Sequence, residues 1–269
     1  MSRGADRVRD AWGDLSAIAR TRELWWALAL QDLRQRYRRS VLGPFWITLS
    51  MAVLVFAIGP LYSLLFKVPA REFIPHFALG LWLWNLLSSL LTEGCQAFIQ
   101  SESLIRSIRL PYSVHALRTL ARNLMVFAHN ALAIVALVLV FGIAPQASWL
   151  WVLPGLMLIA LTALPAILLL AMACARFRDL PQIVASVLQV LFFVTPVIWQ
   201  PKLLGERQYV ADYNPFHWFI ELVRAPMLGE VPPPWMYGAC LACAFALAAL
   251  ALAAFVGYRR RIEIGRAHV

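Results

Sequence analysis

Apolar residues run along this chain in long blocks separated by short charged ones. Six blocks stand out, at residues 44–66, 73–92, 116–141, 149–173, 183–199 and 235–258. Most approach or exceed the roughly 20 residues that an α-helix needs to cross a bilayer. Lipid offers no partner for a bare backbone N–H or C=O, so apolar blocks of this length read as helices. The pattern predicts an all-α, polytopic membrane protein with six transmembrane helices. The block at 183–199 is the shortest, and Pro196 interrupts it.

The segments between the blocks are patterned too. Over residues 23–39 Trp26, Leu30, Leu33 and Tyr37 recur at helical spacing, with Leu24 and Trp25 beside them. Asp32, Gln35, Arg36 and Arg39 fill much of the other side, which predicts an amphipathic helix lying in the membrane interface. Gly43 breaks it, and Pro44 suits the first turn of the next helix. Over 100–113 Leu104, Ile105 and Ile108 share one helical face, flanked by Arg106 and Arg109, until Pro111 stops the helix. Residues 175–181, with Arg176 and Asp179, form a tight turn. Residues 200–233 are the longest stretch between blocks. Their core, Asn214-Pro215 and a helix with Glu221 and Arg224 one turn apart, is too short and too charged to span alone. Outer-leaflet helical segments between spans 5 and 6 are expected there, with a plain surface amphipathic helix as the alternative. Glu93 and Arg122 fall at similar depth on spans 2 and 3 and are expected to pair, since a charge in lipid seeks a partner. The His129-Asn130 pair inside span 3 reads as polar glue between helices. Three regions result: a cytoplasmic tail and interface helix (1–43), a six-span domain (44–261) and a tail (262–269).

Composition sharpens this. The 269 residues are 61% hydrophobic and only 14% charged, against roughly 45–50% apolar in soluble domains. The net charge is +10, and no soluble basic face exists to make this a nucleic-acid binder. Nineteen of the 24 basic residues fall on the terminal side of the predicted spans and five on the other. That bias places both termini in the cytoplasm. The charged first twenty residues do not form a signal peptide.

The chemistry is sparse. No Gly-x-x-x-x-Gly-Lys-Ser/Thr loop is present, so any ATP and magnesium must be bound by a partner. There is no His-Glu-x-x-His, no Gly-x-Ser-Gly and no pair of intramembrane aspartates. The five histidines stand at no ligand spacing, and Cys240-x-x-Cys243 lies inside the last apolar block without further metal ligands. Neither a catalytic residue nor a metal site is expected. Glu206, Asp212, Glu221 and Glu230 leave a glycan-modifying membrane enzyme open as a minor alternative.

Asp32-Leu33, then Arg36-Tyr37-Arg38-Arg39-Ser40-Val41-Leu42-Gly43-Pro44-Phe45-Trp46, resembles the start of the first span in ABC-2 type transporter permeases, most of all the branch that exports lipid-linked polysaccharides such as O antigen, capsule and teichoic acid. The resemblance covers most of the chain. It implies a homodimer in the bacterial inner membrane, assembled with two nucleotide-binding ATPase subunits. It also implies that the short helix before Pro111 touches the ATPase, that spans 1 and 5 line the conduit, and that Asn214, Pro215, Glu221 and Arg224 form an outer gate. The ATPase-coupling candidates are Asp32, Arg36, Arg39, Leu104, Ile105, Arg106, Ile108, Arg109, Arg176 and Asp179. An exporter of another cargo, such as a drug, haem or simple lipid, is the main alternative.

Aromatic residues bear on the cargo. Phe45, Trp46, Phe56 and Tyr62 lie along span 1, and Phe192, Phe193 and Trp199 along span 5. They suit a sugar polymer, whose C–H faces stack on rings, and equally an interfacial belt with helix packing. The last six residues, from Ile264, back-translate to a common sequencing adapter, and the tail is expected to be foreign to the natural chain.

Overall fold

A computed structural model describes residues 13–14, 20–38, 40, 43, 45–108 and 110–258. Among these the regular structure is helical throughout. In chain order the helices are α1 (Arg22–Tyr37), α2 (Phe45–Phe66), α3 (Ala70–Gln100), α4 (Glu102–Ser107), α5 (Tyr112–Phe141), α6 (Val152–Arg176), α7 (Leu180–Val194), α8 (Tyr209–Asp212), α9 (Pro215–Met227) and α10 (Pro234–Tyr258). Tight 3-10 turns at Ala147–Trp151 and Pro201–Arg207 join them. Arg39, Pro44, Arg109 and the tail 262–269 lie outside the described residues.

The bundle is built around α3, which packs against α6, α5, α2, α7 and α9. It is 31 residues long, about 46 Å at the usual helical rise, so it crosses the apolar layer and projects beyond it. Phe73, Phe77, Leu83, Leu90 and Phe98 on α3 are fully enclosed. Trp82 stacks on Phe127 of α5 with ring centroids 4.0 Å apart. Thr48 on α2 donates to Asn130 Oδ1 on α5 at 2.7 Å, the interhelical hydrogen bond expected near His129. His129 itself meets the Phe45 ring at 4.6 Å. The corner at Gly43 is present, with φ 53°.

Among the described residues five helices are long and apolar enough to cross a membrane: α2, α3, α5, α6 and α10. The remaining predicted span is shorter than the pattern suggests. α7 has fifteen residues, about 22 Å, against a hydrocarbon layer of roughly 30 Å. It stops where Thr195 turns extended (φ −80°, ψ 139°), the conformation that a following proline imposes.

The interface helix also differs in detail from its pattern. On α1 Ala29 is buried and Asp32 reaches Arg118 of α5, while Leu30, Leu33 and Tyr37 of the expected stripe are half-buried and Trp26 is 47% exposed. An acidic residue sits in the inward face because two arginines on α5 await it there.

Candidate coupling surface and outer clamp

The charged residues gather at the two ends of the bundle. At one end Asp32 and Arg36 stand one turn apart on α1, and Arg118 and Arg122 one turn apart on α5. Spacing of four residues puts each pair on one helical face, and the two faces meet. Arg118 grips Asp32 with two N–H groups, Nε donating to Oδ2 at 2.6 Å and Nη2 to Oδ1. Arg122 Nη1 donates to Asp32 Oδ2 at 2.8 Å. Glu93 on α3 completes the ladder. It accepts from Arg122 Nε and Nη2 at 3.0 and 2.7 Å, from Arg36 Nη2 at 2.7 Å and from Asn123 Nδ2 at 2.8 Å. The expected Glu93–Arg122 pair is therefore formed, inside a larger network. Burial alone raises the pKa of Asp32, but Arg118 and Arg122 outweigh it and hold the carboxyl below its ordinary value.

Asp32, expected on a surface for a partner, is turned into the molecule, whereas Arg36 pairs with Glu93 and keeps 41% of its side chain exposed. They join α1 to α5 and α3. Sequence reading missed Arg118 and the inward turn of Asp32, although the two four-residue spacings were visible.

Below the ladder lie α4 and the turn after α6. Helix α4 ends at Ser107, and Ile108 is already extended (φ −132°, ψ 131°). Leu104 and Ile105 are half-buried, Ile105 against the core, while Ile108 is 52% exposed. The three do not form one outward face: the helix runs out before Ile108, and Ile105 turns inward. Arg106 pairs with Glu102 at 2.6 Å, and Arg178 reaches the same carboxylate at 3.7 Å. This ties α4 to the turn holding Arg176 and Asp179, both exposed. Asp14 anchors the same region from the N-terminal side. Its carboxylate accepts from the backbone N–H of Tyr112 at 3.0 Å and of Ser113 at 3.1 Å, which satisfies free donors at the start of α5.

At the opposite end α9 is enclosed by α6, α10, α3 and the Ala147–Trp151 turn. Asn214 caps it: Oδ1 accepts from Phe216 N at 2.9 Å, and Nδ2 donates to Thr195 Oγ1 at 3.0 Å. Pro215 fills its first position, where a missing N–H does no harm. Arg224 has no exposed surface. Its Nη1 donates to Pro196 O at 2.7 Å, and Nε and Nη2 donate to Glu221 Oε2 at 3.0 and 2.6 Å. Asn214 and Arg224 thus clamp the bend at 195–196 from both sides. Close approach of backbones makes this possible. A Cβ on Gly80 would stand 2.8 Å from Val197 O, and one on Gly155 2.7 Å from Leu222 O. Of the four outer candidates Asn214 and Arg224 are buried, Glu221 is half-buried beside Arg224, and Pro215 is exposed at the start of α9.

The seven aromatic candidates are not brought together within one chain. α2 and α7 each lean on α3 without substantial packing between them. Phe192 packs on Trp84 at 5.6 Å and on Phe193 at 5.2 Å, and Tyr62 on Phe66 at 5.6 Å. Trp199 donates to Phe193 O at 3.0 Å. Phe45, Trp46, Phe56 and Phe193 are half or more exposed.

A helical bundle with several helices long and apolar enough to span and a charge ladder at one end is the build of a multi-pass membrane protein. The ABC-2 type transporter family matches residues 23–228, from α1 past α9, and the chain belongs to that family. It is similar to an O-antigen export system permease protein RfbA of Klebsiella pneumoniae, 28% identical over 191 residues, covering 69% of this chain and 72% of that one. A protein of the same name from Myxococcus xanthus is 33% identical over 179 residues, covering 64% of this chain and 66% of that one.

Proposed function

We propose that the chain is the transmembrane permease subunit of an ATP-driven exporter that moves lipid-linked polysaccharide across the bacterial inner membrane. The observation that carries the cargo is the similarity to O-antigen export permeases over about two thirds of the chain. The subunit works as a homodimer with two ATPase subunits, which bind ATP and magnesium. In the dimer the exposed flanks of α2 and α7, with Trp46, Phe56 and Phe193, meet their counterparts and face the glycan. α7 together with the bent segment after it serves as the sixth crossing, so both termini are cytoplasmic.

Force enters at the end bearing α4. α4 and the turn at 176–179 present Arg106, Ile108, Arg176 and Asp179 to the ATPase. The ladder then works as a rigid link, carrying a push on α1 or α4 into α3 and α5. Ile108→Asp tests this, because the residue is exposed and lies beyond the helix end. The variant should insert normally while its ATPase stimulation and its surface polysaccharide separate: hydrolysis persists and export falls at least tenfold. Unchanged export with unchanged ATPase activity removes the coupling role.

A further inference from the structure

Between Trp82 and Gly94, α3 leaves only Asn85, Ser88, Ser89, Leu91, Thr92 and Glu93 partly exposed. All but Leu91 are polar, in the middle of a long apolar helix. Around the helix axis Ser88, Thr92, Asn85 and Ser89 fall in one sector. It lies between Trp84, which packs on Phe192 of α7 at 5.6 Å, and Trp82, which stacks on Phe127 of α5. The five polar residues line a cleft of about 260 Å³, together with Ile47 of α2 and Asn123 and Asn130 of α5. From Glu93 to Asn85 the cleft follows α3 for roughly 12 Å, leading from the ladder to the middle of the span.

Hydrocarbon offers these groups no partner, so a face turned to lipid would be apolar. The sector is also open, since α2 and α7 each pack on α3 but not substantially on each other. Ser88, Ser89 and Thr92 give their hydroxyl protons to carbonyls of their own helix at 3.4, 3.0 and 2.9 Å and can still accept. From Asn85 to Thr92 the lining carries no charge, and Arg36 and Glu93 at the ladder end are bound to each other at 2.7 Å. Such a lining suits water and neutral, hydroxyl-bearing chains rather than free ions of either sign.

We propose that this face of α3 is a water-filled, hydrogen-bonding wall of the transport route, along which a neutral, hydroxyl-rich cargo passes. The proposal rests on the polysaccharide reading above and adds α3 to the flanks of α2 and α7 named there.

Thiol labelling of the permease with a nucleotide-binding ATPase subunit in nanodiscs tests the wall. Ser88→Cys and Ser89→Cys exchange one atom, oxygen for sulfur, and keep the bundle intact. Both should react with membrane-impermeant methanethiosulfonates at least tenfold faster than Leu161→Cys, whose position is 54% exposed on α6, with the wild-type complex as background. Scaled to a free thiol, an anionic and a cationic reagent should react within threefold of each other. Each labelled variant, reconstituted in proteoliposomes, should lose tenfold or more of its ATP-driven glycan transfer relative to the same variant unlabelled, and reduction of the label should restore it. A smaller rate ratio over Leu161→Cys, the outcome where a second copy packs on the stripe, overturns the proposal. A stronger preference for one charge, or a smaller loss of transfer on labelling, overturns it as well. A wild-type complex that transfers no glycan removes the polysaccharide reading instead, and the labelling rates still decide whether the stripe is water-filled.

Discussion

Arg122 shows how a charge is kept at the edge of an apolar layer. Its side chain is 8% exposed and touches two carboxylates on two other helices. Desolvation makes a buried ion pair a modest net contributor, but removing one partner costs about 3–5 kcal/mol. Glu93→Gln and Asp32→Asn should each cost less, about 1–3 kcal/mol in a detergent melt, because Arg122 retains one carboxylate in either variant; the double variant, which strips both, should approach the full loss. The pH dependence has a definite sign. The Asp32 carboxyl is held below its ordinary value of 3.8. Its contribution is therefore complete above that value and is lost as pH falls through the lower, folded one. The melting temperature should fall as the pH is lowered below 3.8 in the native chain and lose that part of the slope in Asp32→Asn. Arg224→Lys should fail to restore the clamp, since an ammonium cannot reproduce the fork that reaches Pro196 O and Glu221 together. Much of this was legible beforehand. Counting depth along two spans was enough to pair Glu93 with Arg122. Asp32 was misplaced because amphipathic reasoning sends charges outward, and only a charged partner on another helix reverses that.

Among the elements, helices and their order follow from the apolar blocks, while their ends depend on local chemistry. α3 outruns its block at both ends, because Glu93 and Gln96 continue a helix already committed. α7 falls short of its block because Pro196 forces Thr195 out of helical conformation. α9 is more enclosed than a plain surface amphipathic helix would be. Its burial depends on contacts distant in sequence. Ser148 donates to Pro226 O at 2.9 Å, and Gly155 lets its backbone approach α6, neither of which periodicity within residues 214–229 can reveal. Gly155→Ala would place a methyl against the carbonyl oxygen of Leu222, which cannot swing aside as a side chain would. Overpacking of this kind costs about 1–3 kcal/mol. The variant should melt earlier and release α9, read as faster hydrogen exchange over 215–227. Unchanged exchange would mean that α6 and α9 have room to part.

The whole molecule is asymmetric in charge and incomplete in its apolar surface. Among the described residues the end bearing the ladder, α4 and the turn at 176–179 gathers Arg36, Arg106, Arg118, Arg122, Arg176 and Arg178, and we propose that it faces the cytoplasm under the positive-inside bias. Reporter fusions after Arg71, Ser148 and Gly229 should report the outer side, and fusions after Pro111 and Pro181 the inner side. One reversed site would break the topology. α2 and α7 carry broad exposed apolar faces on either contact of α3, and a second copy across a two-fold axis would bring their aromatics together. We propose that ATP hydrolysis drives polysaccharide through that dimer. The decisive measurement uses proteoliposomes that contain this chain with a nucleotide-binding ATPase subunit, loaded with lipid-linked O polysaccharide. ATP added on the ATPase side should carry the glycan to the opposite face, where a membrane-impermeant glycosidase then cleaves it; the same vesicles without ATP should leave it protected. Equal protection with and without ATP, while hydrolysis proceeds normally, would contradict the account.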